Sequence, residues 1–384
     1  MSAEFSLPIP DAVSELPAGC LQIKNPIDSN TGWFDRCLTG AREKVQLLAT
    51  EAAPDSAHVV RFEITKRPLF CQLGNLILAR FPMRAACLSN SESLISDAES
   101  AYDRLFAQLS SRSFDAIHLQ SVRLGTSLWR YLRTSPLVQH SFHFYSQRGP
   151  LPHWLIRLTG TFSDYTKQLS AKTRKNRLRE LRILRNSGEV KLVRITESSE
   201  IDSLLEAAYG ISQKSRKFRK FGWGVAARDR RLVKTELIRL AQQGWLRSYL
   251  LMCGNTPCSF ILGQQSDSRF YPVAAGVDPA WKPYSAGSVL LWLVLEDLFK
   301  ENSPDFYDLG TSAKRKHYLA TDSYLEADVW LFRRRLYPAL ASIICRACDV
   351  TSRVGGAALE RIGLKRRVTH FLTSTGTKPI VERL

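Results

Sequence analysis

Apolar residues recur along this 384-residue chain at two spacings, every second position in short runs and every third or fourth in longer ones. The first spacing marks strands and the second marks amphipathic helices. Val59 to Ile64 and Gly74 to Phe81 read as strands. Asp97 to Leu109 sets Ala98, Ala101, Leu105 and Leu109 on one helical stripe. Ala116 to Val122 reads as a further strand and Ser127 to Thr134 as a short helix. Residues 1–20 are rich in Pro and Ser and read as a loose tail. This first part alternates strands with helices and holds no glycine-rich phosphate loop.

The run Gly149-Pro150-Leu151-Pro152 marks a change in the pattern, followed by a strand from Trp154 to Leu158. One long helix is expected over residues 163–187, capped by Ser163 or Asp164, ended by Gly188 and striped by Leu178, Leu181 and Leu184. A strand (Val190 to Ile195) and two helices (Ser199 to Gly210, Arg228 to Gln243) come next. Trp245 to Met252, Ser259 to Gln264 and Phe270 to Ala275 form an antiparallel meander, its first turn given positive φ by Gly254 and Asn255. Val289, Leu290, Leu293, Val294, Leu298 and Phe299 then define a buried helix, with Ser285, Ala286, Gly287 and Ser288 at its start. Asp305 to Asp308 is a strand ended by Gly310, and a loop leads to a last strand pair around Glu326 to Arg333.

Composition adds three limits. No run approaches the roughly 18–20 apolar residues of a membrane span, and the run from Leu336 to Cys345 stops at Arg346. The N-terminus has neither the basic nor the apolar region of a secretory signal, so a cytoplasmic protein is expected. The eight cysteines are scattered; Cys345 and Cys348 make a C-x-x-C inside a helical pattern with no second pair or spaced His, so reduced packing residues and no metal are expected.

The net charge of +18 is uneven: residues 1–150 hold 15 basic and 14 acidic side chains, the remainder 39 and 22. An anionic partner would therefore meet the second part, whether CoA pyrophosphate, nucleic acid, an acidic polymer or a membrane surface. Three places could receive it. The small residues Ser285 to Ser288 leave N–H groups exposed at the positive end of a helix, worth about 0.3–1 kcal/mol per charge, although an ordinary capped helix has the same spacing. The helix over 163–187 carries Lys167, Lys172, Arg174, Lys175, Arg177, Arg179, Arg182 and Arg185, as an anion-facing or a solvated surface. Lys214, Arg216, Lys217, Arg219 and Lys220 interleave with Phe218, Phe221 and Trp223, which suits a polyanion or a stacked base, or a basic loop without a ligand.

Four segments resemble one family. SAKTRKNRLRELRILRNSG, AQQGWLRSYLLMCGNTPCSFILG, the Ser-Ala-Gly before VLLW, and FYDLGTSAKRKHYLA are similar to the CelD/BcsL group of GNAT acyltransferases, linked to cellulose and envelope polysaccharide synthesis. That group in turn resembles the FemAB proteins, with two GNAT-like domains in tandem. The likeness covers roughly residues 160–335 and is weaker before them. It implies an α/β (α+β) fold of tandem GNAT-like domains, with a mixed, mostly antiparallel sheet flanked by helices. The implied division is a tail (1–20), a degenerate first domain (21–157), an acyltransferase domain (158–335) and a basic helical tail (336–384).

The resemblance further implies transfer of an acyl group from acyl-CoA to an amine or hydroxyl, such as a saccharide acceptor. Ser285, Ala286, Gly287 and Ser288 would hold the donor pyrophosphate, and backbone N–H groups at Val273 or Ala274 would polarise the thioester. Asp308, Lys316, His317 and Tyr318 are the catalytic candidates, and Lys172, Arg216, Lys217 and Trp223 the acceptor-side ones. Two positions depart from the pattern: only Gly287 remains of the fuller donor loop, and Arg315-Lys316 replaces the usual Tyr-Lys. Two rival functions stay open, a FemAB-like aminoacyl-tRNA donor and a non-catalytic binder of nucleic acid or an anionic surface. The C-terminal tail would pack on the core or touch an anionic membrane.

Overall fold

Eleven strands form one open sheet in the order β1-β2-β3-β4-β11-β5-β10-β9-β8-β7-β6. They are β1 (Lys44–Glu51), β2 (Ala57–Leu73), β3 (Leu76–Leu88), β4 (Ala116–Arg123), β5 (Phe142–Arg157), β6 (Val190–Ile195), β7 (Ser248–Cys253), β8 (Thr256–Gln265), β9 (Arg269–Val277), β10 (Phe306–Thr311) and β11 (Asp322–Arg333). This computed structural model describes residues 44–51, 57–73, 76–88, 99–265, 268–301, 304–311 and 317–361. Two pairings, β3 with β4 and β9 with β10, are parallel and the others antiparallel. The fold is thus the mixed, mostly antiparallel sheet flanked by helices that the sequence implies.

Each half repeats one pattern: a three-strand antiparallel meander, a helix, then a strand parallel to the third. In the first half the helix is α1 (Glu99–Ser110), followed after β4 by α2 (Ser127–Thr134) and α3 (Pro136–Ser141). These three pack on one face through Tyr102, Leu105, Phe106, Leu128, Tyr131 and Val138. The second half adds α4 (Phe162–Gln168), α5 (Ala171–Arg185), α6 (Ile201–Lys214), α7 (Arg216–Phe221), α8 (Arg230–Gln242) and α9 (Ala286–Lys300). Leucines of α5 and α9 meet Tyr249, Leu251, Ile261 and Tyr307 on one face, while α6 and α8 meet Leu250, Phe260 and Leu262 on the other. The alternation of β7 (Tyr249 and Leu251 one way, Leu250 the other) follows from the two-residue period of a strand buried on both faces.

The turn signal at Gly149-Pro150-Leu151-Pro152 lies inside β5. Gly149 takes φ +71° where β5 carries extra residues against β11, so Gly and Pro here shape a bulge, which tolerates both. The expected long helix is two. Thr161 caps α4, accepting from the Asp164 amide at 3.1 Å, and Ser170 caps α5, accepting from the Thr173 amide at 3.2 Å. Arg174 closes the C-terminus of α4 by donating to the carbonyls of Thr166, Lys167 and Leu169. Leu178 is exposed, so only Leu181 and Leu184 of the expected stripe are buried. In the meander turn Gly254 alone takes positive φ.

The last strand, β11, is a single strand lying between β4 and β5, paired with both. Behind it, α10 (Leu336–Arg361) packs through Ala341, Cys345 and Cys348 against Leu69, Cys71, Met83 and Trp330. Cys71 Sγ and Cys348 Sγ are 2.9 Å apart as free thiols. Burial pushes the Cys71 thiol up to about 11 and that of Cys345 up to about 12, which keeps both protonated and inert, as packing residues.

Candidate active site

The parallel pair β9–β10 is joined at only two positions, Phe306 with Arg269 and Tyr307 with Phe270. From there β9 continues to Val277 without β10, which instead follows β5 through Thr311. The strands therefore part after Tyr307, and among the described residues β9 from Pro272 to Val277 has no strand partner on that side. The equivalent pair in the first half, β3–β4, stays joined from Ala85 to Leu88, where β3 ends. On the other edge of β9 the register against β8 shifts so that Val273 is the extra residue of a bulge, with Ala274 opposite Leu262. Val273 and Ala274 lie along the part of β9 that β10 has left.

The start of α9 stands beside the end of β9. Asp278 follows β9, accepts from the Ala280 amide at 3.0 Å and forms an ion pair with Lys214 of α6 at 2.7 Å. Although burial pushes its carboxyl up, the bond from Lys214 holds it below the ordinary carboxylate range. Ser285 is the N-cap residue of α9, but its backbone is left-handed at φ +57° and its side chain makes no capping bond. The Ser288 amide already donates to the Ser285 carbonyl at 2.9 Å. The amides of Ala286 and Gly287 carry no hydrogen bond to another described residue. Gly287 is needed for closeness: a Cβ there would lie 2.5 Å from Val277 Cγ2.

The remaining candidates separate. Lys172 is exposed on α5, on the α9 face of the sheet, while Arg216 on α7 and Trp223 after it follow α6 on the opposite face. Lys217 also lies on α7, its side chain outside the described residues. Tyr318 sits on the 3-10 turn His317–Leu319, half exposed, its hydroxyl accepting from Arg177 Nη2 at 3.3 Å. That turn is fixed by the Tyr165 hydroxyl, which donates to the Leu319 carbonyl at 2.9 Å. Lys316 lies outside the described residues, as does the side chain of His317.

Asp308 is the first residue of β10 past the split, on the face opposite Tyr307 and Leu309. It is buried and bonded to a residue that periodicity passes over, His153 of β5. His153 Nε2 lies 2.9 Å from Asp308 Oδ1, and His153 Nδ1 lies 3.0 Å from Glu326 Oε2 on β11. Asp308 also accepts from the Gly310 amide at 2.7 Å and has Arg269 of β9 at 3.7 Å. Glu326 accepts from Thr311 and, at 3.3 Å, from Ser121, itself at φ +54° on β4. Tyr324 stacks on the His153 ring at 4.7 Å, under the Arg123 guanidinium at 4.6 Å.

Burial pushes the His153 imidazole down, but the bonds to Asp308 and Glu326 outweigh it and raise the group to about 9. With a carboxylate at each nitrogen the ring is an imidazolium donating both ways, so His153 is a bridge and not a base. The sequence signal was there in part: Asp308 and Glu326 each interrupt an apolar strand, and an inward carboxylate demands a partner.

A second buried charge cluster supports the far end of α9. Arg247 donates to Asp297 at 2.8 Å, Glu301 at 2.7 Å, Gln265 at 2.8 Å and the Tyr249 hydroxyl at 2.5 Å. Among the described residues no group of His, Cys, Asp and Glu could hold a metal ion.

A strand pair that opens beside a helix N-terminus, after a meander, is a GNAT-like fold. Residues 171–318 match the family described as acetyltransferase (GNAT) domain. No curated protein sequence matches the chain significantly. Among solved structures, FemX is similar over 79% of this chain and 90% of its own, with 10% identity and a TM-score of 0.51, a likeness of fold. L-PGS from Bacillus licheniformis (9% identity, 74% and 89% covered, TM-score 0.44) and a tandem GNAT protein from the clavulanic acid biosynthesis pathway (9%, 76% and 84%, 0.41) are more distant in shape.

Proposed function

We propose that the second half transfers an acyl group from a CoA thioester, bound in the split between β9 and β10, to an amine or hydroxyl acceptor. The observation that carries this reading is the parting of the strands after Tyr307, beside the amides of Ala286 and Gly287, which carry no hydrogen bond to another described residue. The pantetheine arm would pair with the unmatched backbone of β9, and the two amides would meet the pyrophosphate at the positive helix end. The amide of Val273 or Ala274 would polarise the thioester carbonyl. The acceptor's lone pair attacks that carbon, the C–S bond breaks, the acceptor proton passes to a base and the thiolate takes up a proton.

Tyr318 is our candidate for the acid that serves the thiolate. His317 and Lys316 remain candidates for the base and for charge neutralisation. Asp308, with its oxygens engaged by His153 and the Gly310 amide, serves better as a brace of the β10 turn than as the base. The resemblance to CelD/BcsL proteins makes saccharide amines and hydroxyls the first acceptors to try. Calorimetric titration with acetyl-CoA and longer acyl-CoAs, together with a thiol-release assay, tests the reading. Saturable binding with slow thiol release is expected; no binding at millimolar donor would sink it.

A further inference from the structure

Six of the fourteen large apolar side chains exposed among the described residues belong to α10: Leu336, Tyr337, Leu340, Ile343, Ile344 and Val350. Leu336 is 79% exposed, Leu340 50% and Ile343 60%. Their spacing follows the helical repeat, so most fall on one stripe roughly 21 Å long, facing away from the sheet. The opposite stripe, with Ala341, Ser342 and Cys345, is buried against the first half. A contiguous apolar surface of this kind is uncommon on a protein that meets only water.

The charges on the helix and its approach are mostly positive, with the Asp115 carboxylate near Tyr337 at one border. Arg334 and Arg335 precede the helix and Arg346 stands within it, all exposed; Arg334 also donates to the Gln139 carbonyl and Arg346 to the Phe144 carbonyl, which holds both at the flank of the helix. Between residues 336 and 352 the one acidic residue is Asp349, and it is turned inward, accepting from the Tyr145 hydroxyl at 2.5 Å. An anionic lipid surface answers both features: acyl chains take the apolar stripe and phosphate headgroups take the guanidinium groups. No helix among the described residues is long and apolar enough to cross a membrane, so α10 would lie along it.

We infer that the outward face of α10 docks the protein on an anionic bilayer. This inference is independent of the acyl-transfer reading. The full-length protein is mixed with vesicles of phosphatidylglycerol and phosphatidylcholine, or of phosphatidylcholine alone, and sedimented. It is expected to sediment with the first and stay in solution with the second, and added salt should release it.

Leu340→Gln with Ile343→Gln leaves the net charge unchanged and, at exposed positions, leaves the sheet packing intact; circular dichroism and melting check this. The pair should lower vesicle affinity at least about tenfold, and Arg335→Gln about fivefold. Failure to bind anionic vesicles, or binding undiminished in the double variant, overturns the inference. So does a concentration-dependent dimer, abolished by the double variant, in a protein that ignores vesicles.

Discussion

His153 Nε2 donates to Asp308 at 2.9 Å, which ties β5 to β10 at the residue where β10 has just parted from β9. Through Nδ1 the same ring reaches Glu326 and so a third strand, β11. The charge is buried where all three strand pairings around it are irregular: β5 with β10, β5 with β11, and β4 with β11. Bulges remove ladder hydrogen bonds, and the carboxylate–imidazolium–carboxylate bridge replaces them with charge-assisted ones.

This bridge sets a pH dependence. The folded imidazole titrates at about 9 and the unfolded one near 6.5, so its stabilisation is complete below 6.5 and is lost as pH rises through 9. Over that window stability should fall by roughly 3 kcal/mol from this group. Urea unfolding at pH 6, 8 and 10 measures it, and His153→Gln should lower stability at pH 6 while flattening the slope. A wild-type curve flat from pH 6 to 10 contradicts the bridge.

Gly287→Ala should weaken donor binding and cost about 1–3 kcal/mol of stability, because its Cβ meets Val277 Cγ2. Val277→Ala makes room. The double variant should therefore recover most of the melting temperature and donor affinity lost by Gly287→Ala alone, and a strictly additive pair rules out this contact as the cause.

Arg247→Ala should destabilise the protein by about 1–3 kcal/mol, since it leaves Asp297 with the Tyr249 hydroxyl and the more distant Arg194 at 3.6 Å. Thermal melting reads the loss. Asp297→Asn, which keeps a polar partner, should cost less.

Tyr318→Phe removes only a hydroxyl that accepts from Arg177, on a half-exposed turn. If that hydroxyl supplies the thiolate's proton, kcat should fall about a hundredfold with donor affinity unchanged. An unaltered kcat returns the role to another residue.

Much of this was legible in sequence. The meander, β6, α2 and the helix after Ser285 were set by periodicity and small-residue turns, which are local. What periodicity could not show is long-range. Gly149 and Pro150 mean a turn in most contexts, and only the presence of β11 opposite them makes a bulge. Ser285 is a favourable N-cap by identity, yet the backbone enters α9 left-handed. Lys172 and Arg216 look alike in the sequence, but their helices lie on opposite faces of the sheet. His153 finds its partners 155 and 173 residues away, a relation that no local window contains.

The placement of β11 bears on how the chain is made. Residues 322–333 complete the edge of β4, a strand that leaves the ribosome some two hundred residues earlier. At roughly 5–20 residues per second, that edge waits about 10–40 s for its partner during synthesis. The first half is thus born with an open flank, closed only by the second half's final strand, and a chain cut before residue 322 would leave the flank permanently available to other polypeptides.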